Sequence, residues 1–399
     1  MAPINPWQST IAQQWREPQD IFSLLLIIGG EIVQKSIAQL AGGPYPLTPV
    51  AFSFGWVSYS ILAVMNVLGN GTLMPEPDTQ CMLVNVRKGW IRQNYSWVLA
   101  RILRDWREET EDARNSLEVS ICSASRQKAR IPYPDLVWNL GVLVIVVQIG
   151  IALIPALVDD TWSILLLTIV GTMLSLGQAS LPQWAMEKWS CRENQSDKVI
   201  LLTQGNGSRR VVVIFSRKNA GLDLEDLANP RTGKLASTLP LTLFFCVSWL
   251  VLLLTATGLR THAWYLIGIS GLGTAHNVYA VGARRPPSAF GLHFNREEFI
   301  RPGGHVANKV MAVIQETERR WPGQRLGLSL MEVFFPGNGG MHPSELKWKL
   351  ENERMYAECE PPIDGVAAHC IHPVEQEWRR GEVEKCRGIP DLGPVGLPH

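Results

Sequence analysis

Inside an apolar run near the N-terminus stand Glu31, Gln34 and Lys35. An ionised side chain at the centre of a bilayer costs at least about 2.5 kcal/mol, so polar groups in such a place mark a site, a pathway or a deliberate pairing. Glu31 and Lys35 are four residues apart, which places them on one helical face where they can pair. Two readings stand. In the first, Glu31 is a catalytic proton donor or acceptor whose ionisation is set by Lys35 or His276, as a cyclase or isomerase acting on a lipophilic precursor would need. In the second, the pair only fixes helix packing, facing Asn66, Gln148, Gln178, His276 and Asn277 from other apolar runs.

Other clusters carry less chemistry. Asp159-Asp160 resembles half of the aspartate-rich diphosphate-binding motif of terpene cyclases and prenyltransferases, but Thr161, Trp162 and Ser163 follow where a further carboxylate is needed. A polar turn is the simpler account. Cys359, His369, Cys370, His372 and Cys386 are zinc-type ligands without paired Cys-x2-Cys spacing, and adjacent His369 and Cys370 do not easily reach one ion. The glycines in Gln204-Gly-Asn-Gly-Ser208 are followed by no Lys-Ser/Thr and no helix start, so they read as a hairpin turn. Leu222-Asp-Leu-Glu-Asp-Leu-Ala228 reads as an acidic, solvated helix face and not as a cation site. No cofactor is implied, and no metal.

The elements that would position these residues follow from how charge is distributed. The chain has 399 residues, 46% of them apolar, with 37 Lys+Arg against 36 Asp+Glu. Mean hydropathy is only +0.04, yet Asp, Glu, Lys and Arg are absent from residues 36–75, 136–158, 161–186, 235–259 and 261–283. A bilayer core of roughly 30 Å asks for about 20 apolar residues per helix. Six spans fit, at 20–41, 47–68, 136–158, 161–182, 239–259 and 261–282, paired into three hairpins. Segments 69–135, 183–238 and 283–399 hold 10, 9 and 15 basic residues, which with Arg16 makes 35 of the 37. By the positive-inside rule these segments and both termini face the cytosol. Trp138, Trp162, Trp184 and Trp264 fall near span ends, at headgroup level. The expected home is an endomembrane such as the endoplasmic reticulum, with the first span kept as a signal anchor. Four Asn-x-Ser/Thr sequons would lie on the cytosolic side and go unused, and disulfides are not expected.

The cytosolic segments read as follows. Residues 82–86 form a short strand, and a helix from Asn94 to Trp106 is basic on one face through Arg101, Arg104 and Arg107. Such a helix lies along anionic lipid headgroups or packs on its neighbours. Residues 107–130 are a solvated helix end and linker. Residues 199–203 and 209–215 make a hairpin covered on both faces. Helices near 306–321 and 343–358 flank a strand at 328–335, and residues 360–399, rich in proline, are disordered. The fold class is thus an all-α membrane bundle of six transmembrane helices in three hairpins with a small α+β cytosolic lobe: hairpins 20–68, 136–182 and 239–282, cytosolic segments 1–19, 69–135, 183–238 and 283–359, and the tail. The partners are the bilayer and other proteins of a pathway, not nucleic acid.

Gln19-Asp-Ile-Phe-Ser-Leu-Leu-Leu-Ile-Ile-Gly-Gly-Glu-Ile-Val-Gln-Lys35, Thr48-Pro-Val-Ala-Phe-Ser-Phe-Gly-Trp-Val-Ser-Tyr59, the acidic stretch 221–228 and Val333-Phe-Phe-Pro-Gly337 together resemble a group of fungal multi-spanning membrane proteins, over residues 15–350. Members of such groups can lie beside secondary-metabolite genes. The resemblance implies an accessory or membrane-bound tailoring role in a biosynthetic pathway and supplies no catalytic residues. A non-transporting scaffold is the first expectation, the embedded enzyme the second. A transporter is the third, for which the three hairpins show no convincing internal repeat.

Overall fold

The computed structural model describes residues 19–42, 47–106, 117–230, 233, 235–259, 262–300, 310–336 and 341–359, with the backbone alone for 19–28 and 358–359. Six strands, β1 (Met82–Asn85), β2 (Trp90–Gln93), β3 (Glu118–Ala124), β4 (Lys198–Thr203), β5 (Arg210–Ser216) and β6 (Phe294–Ile300), form one sheet in the order β2-β1-β4-β5-β3-β6. The sheet is mixed, because β3 and β5 run parallel while the other neighbours are antiparallel. Side chains alternate across a strand. Leu83, Ile200, Leu202, Val212 and Ile214 therefore face one way, into a core shared with the apolar helices. Val84, Val119, Val199, Leu201, Val211 and Val213 face the other way, onto helices covering the far side. Burial on both faces is why β4 and β5 read as unbroken apolar runs.

The helices are α1 (Gln19–Leu40), α2 (Gly55–Gly69), α3 (Trp97–Asp105), α4 (Leu136–Val158), α5 (Ser163–Ala179), α6 (Pro182–Lys188), α7 (Leu224–Ala228), α8 (Thr238–Thr257), α9 (Ala263–Gly282), α10 (Val310–Arg320), α11 (Leu326–Phe334) and α12 (Pro343–Cys359). Helices α1, α2, α4, α5, α8 and α9 pack into a bundle. Helices α3 and α7 share the core between the bundle and the near face of the sheet. Helices α10 and α11 cover the far face.

The expected six-span all-α bundle is corrected. A six-stranded mixed sheet stands at the centre of the fold, and among the described residues three helical runs are long and apolar enough to cross a membrane: Leu136–Val158, Ser163–Lys188 and Thr238–Thr257. The expected span 47–68 is not helical over its first eight residues, and α2 keeps only 15 residues. Proline supplies part of the reason: Pro49 biases Thr48 out of the helical region and cannot donate an N–H. Helix α9 has 20 residues but carries Ser270, Thr274, His276 and Asn277, which lower its apolarity.

Three further expectations change. Residues 118–124 were expected in a linker and form β3, hydrogen-bonded on both sides within the sheet. Strand β6 has no counterpart in the sequence reading. Of residues 328–335, expected as a strand, 328–334 belong to α11, in which Leu326 to Met331 are all buried. A run buried almost all round, with only Glu332 exposed, shows neither clear helical nor clear strand periodicity, so it was ambiguous.

Candidate functional site

Polar side chains inside the bundle serve the non-helical segment 47–54. Val50, Ala51, Phe52, Ser53 and Phe54 are fully buried, so their backbone groups need partners other than water. Gln148 of α4 donates through Nε2 to the Phe52 carbonyl at 2.8 Å and to the Ile269 carbonyl at 2.8 Å. The Ala51 carbonyl accepts from Asn277 Nδ2 at 3.2 Å and from Trp56 Nε1 at 3.0 Å. Ser270 Oγ accepts the Phe54 N–H at 3.0 Å, and Ser180 Oγ the Thr48 N–H at 3.1 Å. Glycines make the room. A methyl at Gly273 would overlap the Phe52 carbonyl oxygen, and one at Gly141 the Pro49 carbonyl oxygen. Phe52, Trp249 and Trp56 stack with centroids 6.0 and 5.7 Å apart, and Trp249 Nε1 donates to Gln178 Oε1 at 2.8 Å.

A second polar construction joins the bundle to the sheet unit. Asp135 caps α4, accepting from the Trp138 N–H, and holds Arg285 with both oxygens at 2.6 and 2.8 Å. Arg285 also donates to the Gln39 carbonyl, and its own N–H reaches Asp105 Oδ2 at 3.3 Å. Arg101 of α3 pairs with Asp78 at 2.8 Å and Asp105 at 3.4 Å and donates to the Val281 carbonyl near the end of α9. Lys35 joins the same belt through Asp78 at 3.2 Å. Burial, followed by the neighbouring Arg104, draws the Arg101 guanidinium below its ordinary value, while Asp105 and Asp78 oppose that. At the end of α6, Glu187 accepts the Leu73 and Met74 N–H groups at 2.8 and 2.7 Å. Lys188 donates to the Ala41 carbonyl at 2.6 Å. Lys188 and Arg285 thus place N–H donors on carbonyls at the C-terminal end of α1, which have no partner within the helix.

The belt redefines several expected residues. Lys35 pairs with Asp78 and not with Glu31, which is exposed and has no hydrogen bond or ion pair among the described residues. His276 is buried on α9 against Gly141, beside Asn277 and the Val137 backbone. No hydrogen bond or ion pair joins Glu31, Lys35 and His276. Gln148, Gln178 and Asn277 serve the non-helical segment and its aromatic stack instead of the expected pair. Arg101 is 1% exposed, its guanidinium committed inside the protein. Arg104 pairs with Asp105 at 2.7 Å, and Arg107 lies outside the described residues. Trp184, expected at a membrane interface, is buried beside Tyr59. The acidic stretch is no solvated face either: Asp223 caps α7, and Lys198 holds Asp223 at 2.6 Å and Glu225 at 2.8 Å. Asp159 ends α4 within 3.7 Å of His262. His369, Cys370, His372 and Cys386 lie outside the described residues, among which no group of His, Cys, Asp and Glu could hold a metal ion.

Sequence reasoning missed Asp135, Arg285, Glu187 and Lys188. Their signal was position, since each borders an apolar run, where a charge is free to cap a helix end. A cleft of about 400 Å³ opens beside the belt, lined among others by Tyr95, Trp97, Glu187 and Lys188. Both oxygens of Glu187 are already occupied by backbone N–H groups and by Gln183, while Glu76, also in the lining, is exposed. No protein family matches the chain, and no curated protein or solved structure matches it.

Proposed function

We propose that the protein is a membrane-integrated scaffold in which a helix bundle holds an α/β unit against one side of a bilayer. The supporting observation is the division of side chains between the two. On α4, α5 and α8, Leu143, Val146, Leu166, Met173, Phe244, Val247 and Leu254 are each more than half exposed, while the glutamines and Asn277 of the bundle turn inward. A set of bare apolar side chains of this kind matches hydrocarbon and not water. The charges gather where bundle and sheet meet. Because the belt spends its carboxylates and guanidiniums on one another and on helix ends, its role in this reading is to fix the two parts together.

The test is fractionation of cells expressing the full chain, followed by an alkaline carbonate wash. The chain should stay with the membrane pellet, and release into the supernatant would end the reading. The link is tested by Arg285→Gln, which leaves Asp135 half-paired. Removing one partner of a buried ion pair costs about 3–5 kcal/mol, so the sheet unit should become sensitive to trypsin while the helices still pellet. An unchanged digestion pattern would show that the belt does not hold the parts together.

A further inference from the structure

Residues 79–104 contain no Asp or Glu but five basic side chains, Arg87, Lys88, Arg92, Arg101 and Arg104. Arg101 and Arg104 are consumed within the belt. Arg87, Lys88 and Arg92 have no salt bridge within 4 Å among the described residues, although Arg92 lies near enough to Glu225 to help hold its carboxyl down, and they gather around the β1–β2 turn at the edge of the sheet. Strand β2 has a single neighbour, β1.

The register shows which way this edge faces. Trp90 stands opposite Asn85, and Arg92 opposite Leu83. Directly opposed residues of an antiparallel pair share a face. Leu83 belongs to the core that joins the sheet to the bundle, whereas Val84, opposite Ile91, belongs to the far core. Trp90 and Arg92 therefore project on the bundle side of the sheet, along its outermost strand. Nothing described covers them fully: Trp90 is 53% exposed. Its ring has the Lys88 ammonium 5.2 Å and the Arg92 guanidinium 5.4 Å from its centre. An indole prefers the headgroup level of a bilayer. Cations close to a membrane surface are drawn to anionic lipids, by about fivefold in affinity for each basic residue.

We propose that this edge is a second, electrostatic contact with the bilayer, in which Trp90, Lys88 and Arg92, with Arg87 on the turn, dock on the headgroups of anionic lipids. The proposal rests on the membrane-integrated reading and adds to it a lipid preference and the residues that carry it. The basic helix α3, where the sequence placed such a contact, is enclosed; the contact moves to the neighbouring hairpin. It adds to the belt and to the apolar core that the sheet shares with the bundle.

The full chain is reconstituted into phosphatidylcholine vesicles and into phosphatidylcholine with about 30% phosphatidylserine, and hydrogen exchange is followed over residues 82–93. Exchange should be slower on the anionic vesicles, and the difference should vanish at about 1 M salt, where the Debye length falls to about 3 Å. In Lys88→Gln/Arg92→Gln the extra protection should fall by about fivefold for each cation removed, with exchange of β4 and β5 unchanged as the check that the sheet is intact. Equal exchange on the two vesicle types, or slowing that persists in the double variant, would overturn the proposal and leave the edge to a protein partner. Flotation separates the two readings. A chain stripped from both vesicle types by alkaline carbonate refutes the spanning helices, while the difference in flotation between the two lipid compositions before the wash still decides the patch.

Discussion

Gly273 is where the backbone of α9 meets the backbone of the non-helical segment, and it separates two effects that glycine usually confounds. In a helix, alanine is favoured over glycine by about 1 kcal/mol. At positions 268 and 271 an added methyl would touch nothing within 4 Å. There, Gly268→Ala and Gly271→Ala should be neutral or mildly stabilising. At 273 the same methyl would overlap the Phe52 carbonyl and lie 2.7 Å from Gln148 Nε2, displacing the amide that satisfies that carbonyl. Overpacking costs about 1–3 kcal/mol, to which the loss of a buried hydrogen bond adds. Thermal unfolding of the detergent-solubilised chain should therefore fall for Gly273→Ala alone. Matching midpoints for the three variants would mean that the segment is not held by this contact.

At the scale of elements, helix α7 is short and depends on its ion pairs. Burial raises the Glu225 carboxyl, but the hydrogen bonds from Lys198 and Asn85 outweigh it, and the net shift is below the ordinary value of 4.5. Burial likewise lowers Lys198, and Asp223 and Glu225 more than reverse it. A carboxyl lowered in the folded state contributes stability that is fully present above 4.5 and lost as pH falls through the folded value. Hydrogen exchange over residues 222–229 should accelerate as pH falls below 4.5, after correction for intrinsic rates. Lys198→Met should flatten that dependence, and a wild-type profile in the variant would remove the pair from the account. The same elements show what the sequence could disclose. Hairpin β4–β5 was legible because each strand is a β-branched run and the turn between them holds Gly205 and Gly207, both at positive φ. Strand β3 was not, because Glu118, two serines and Cys122 interrupt its apolar pattern and its parallel partner lies about 90 residues away in register. The belt was half legible: Lys35 and Arg101 were singled out by type, and Asp105 stands four residues after Arg101 on the same helix, but Asp78 comes from a separate segment to which no local spacing points.

For the molecule as a whole, the decisive surface is the bare apolar one, and its meaning depends on where on the chain it lies. Val146 stands near the middle of α4 and Val247 near the middle of α8, both 60% exposed. Leu350, on α12 beyond the far face of the sheet, is 55% exposed. If exposure alone mattered, an arginine would be equally welcome at all three. If α4 and α8 lie in hydrocarbon, an arginine at their centres costs about 2.5–3.5 kcal/mol on insertion, whereas at 350 it meets water. Val146→Arg and Val247→Arg should each lower the carbonate-resistant fraction of the chain, and Leu350→Arg should leave it unchanged. The exposed apolar stripe on α12 serves as the internal control, since its helix has charged neighbours such as Lys347 and Glu351 one turn apart. Three variants with the same membrane fraction would show that the bundle's bare face does not meet lipid. The fold would then need a protein partner to cover it.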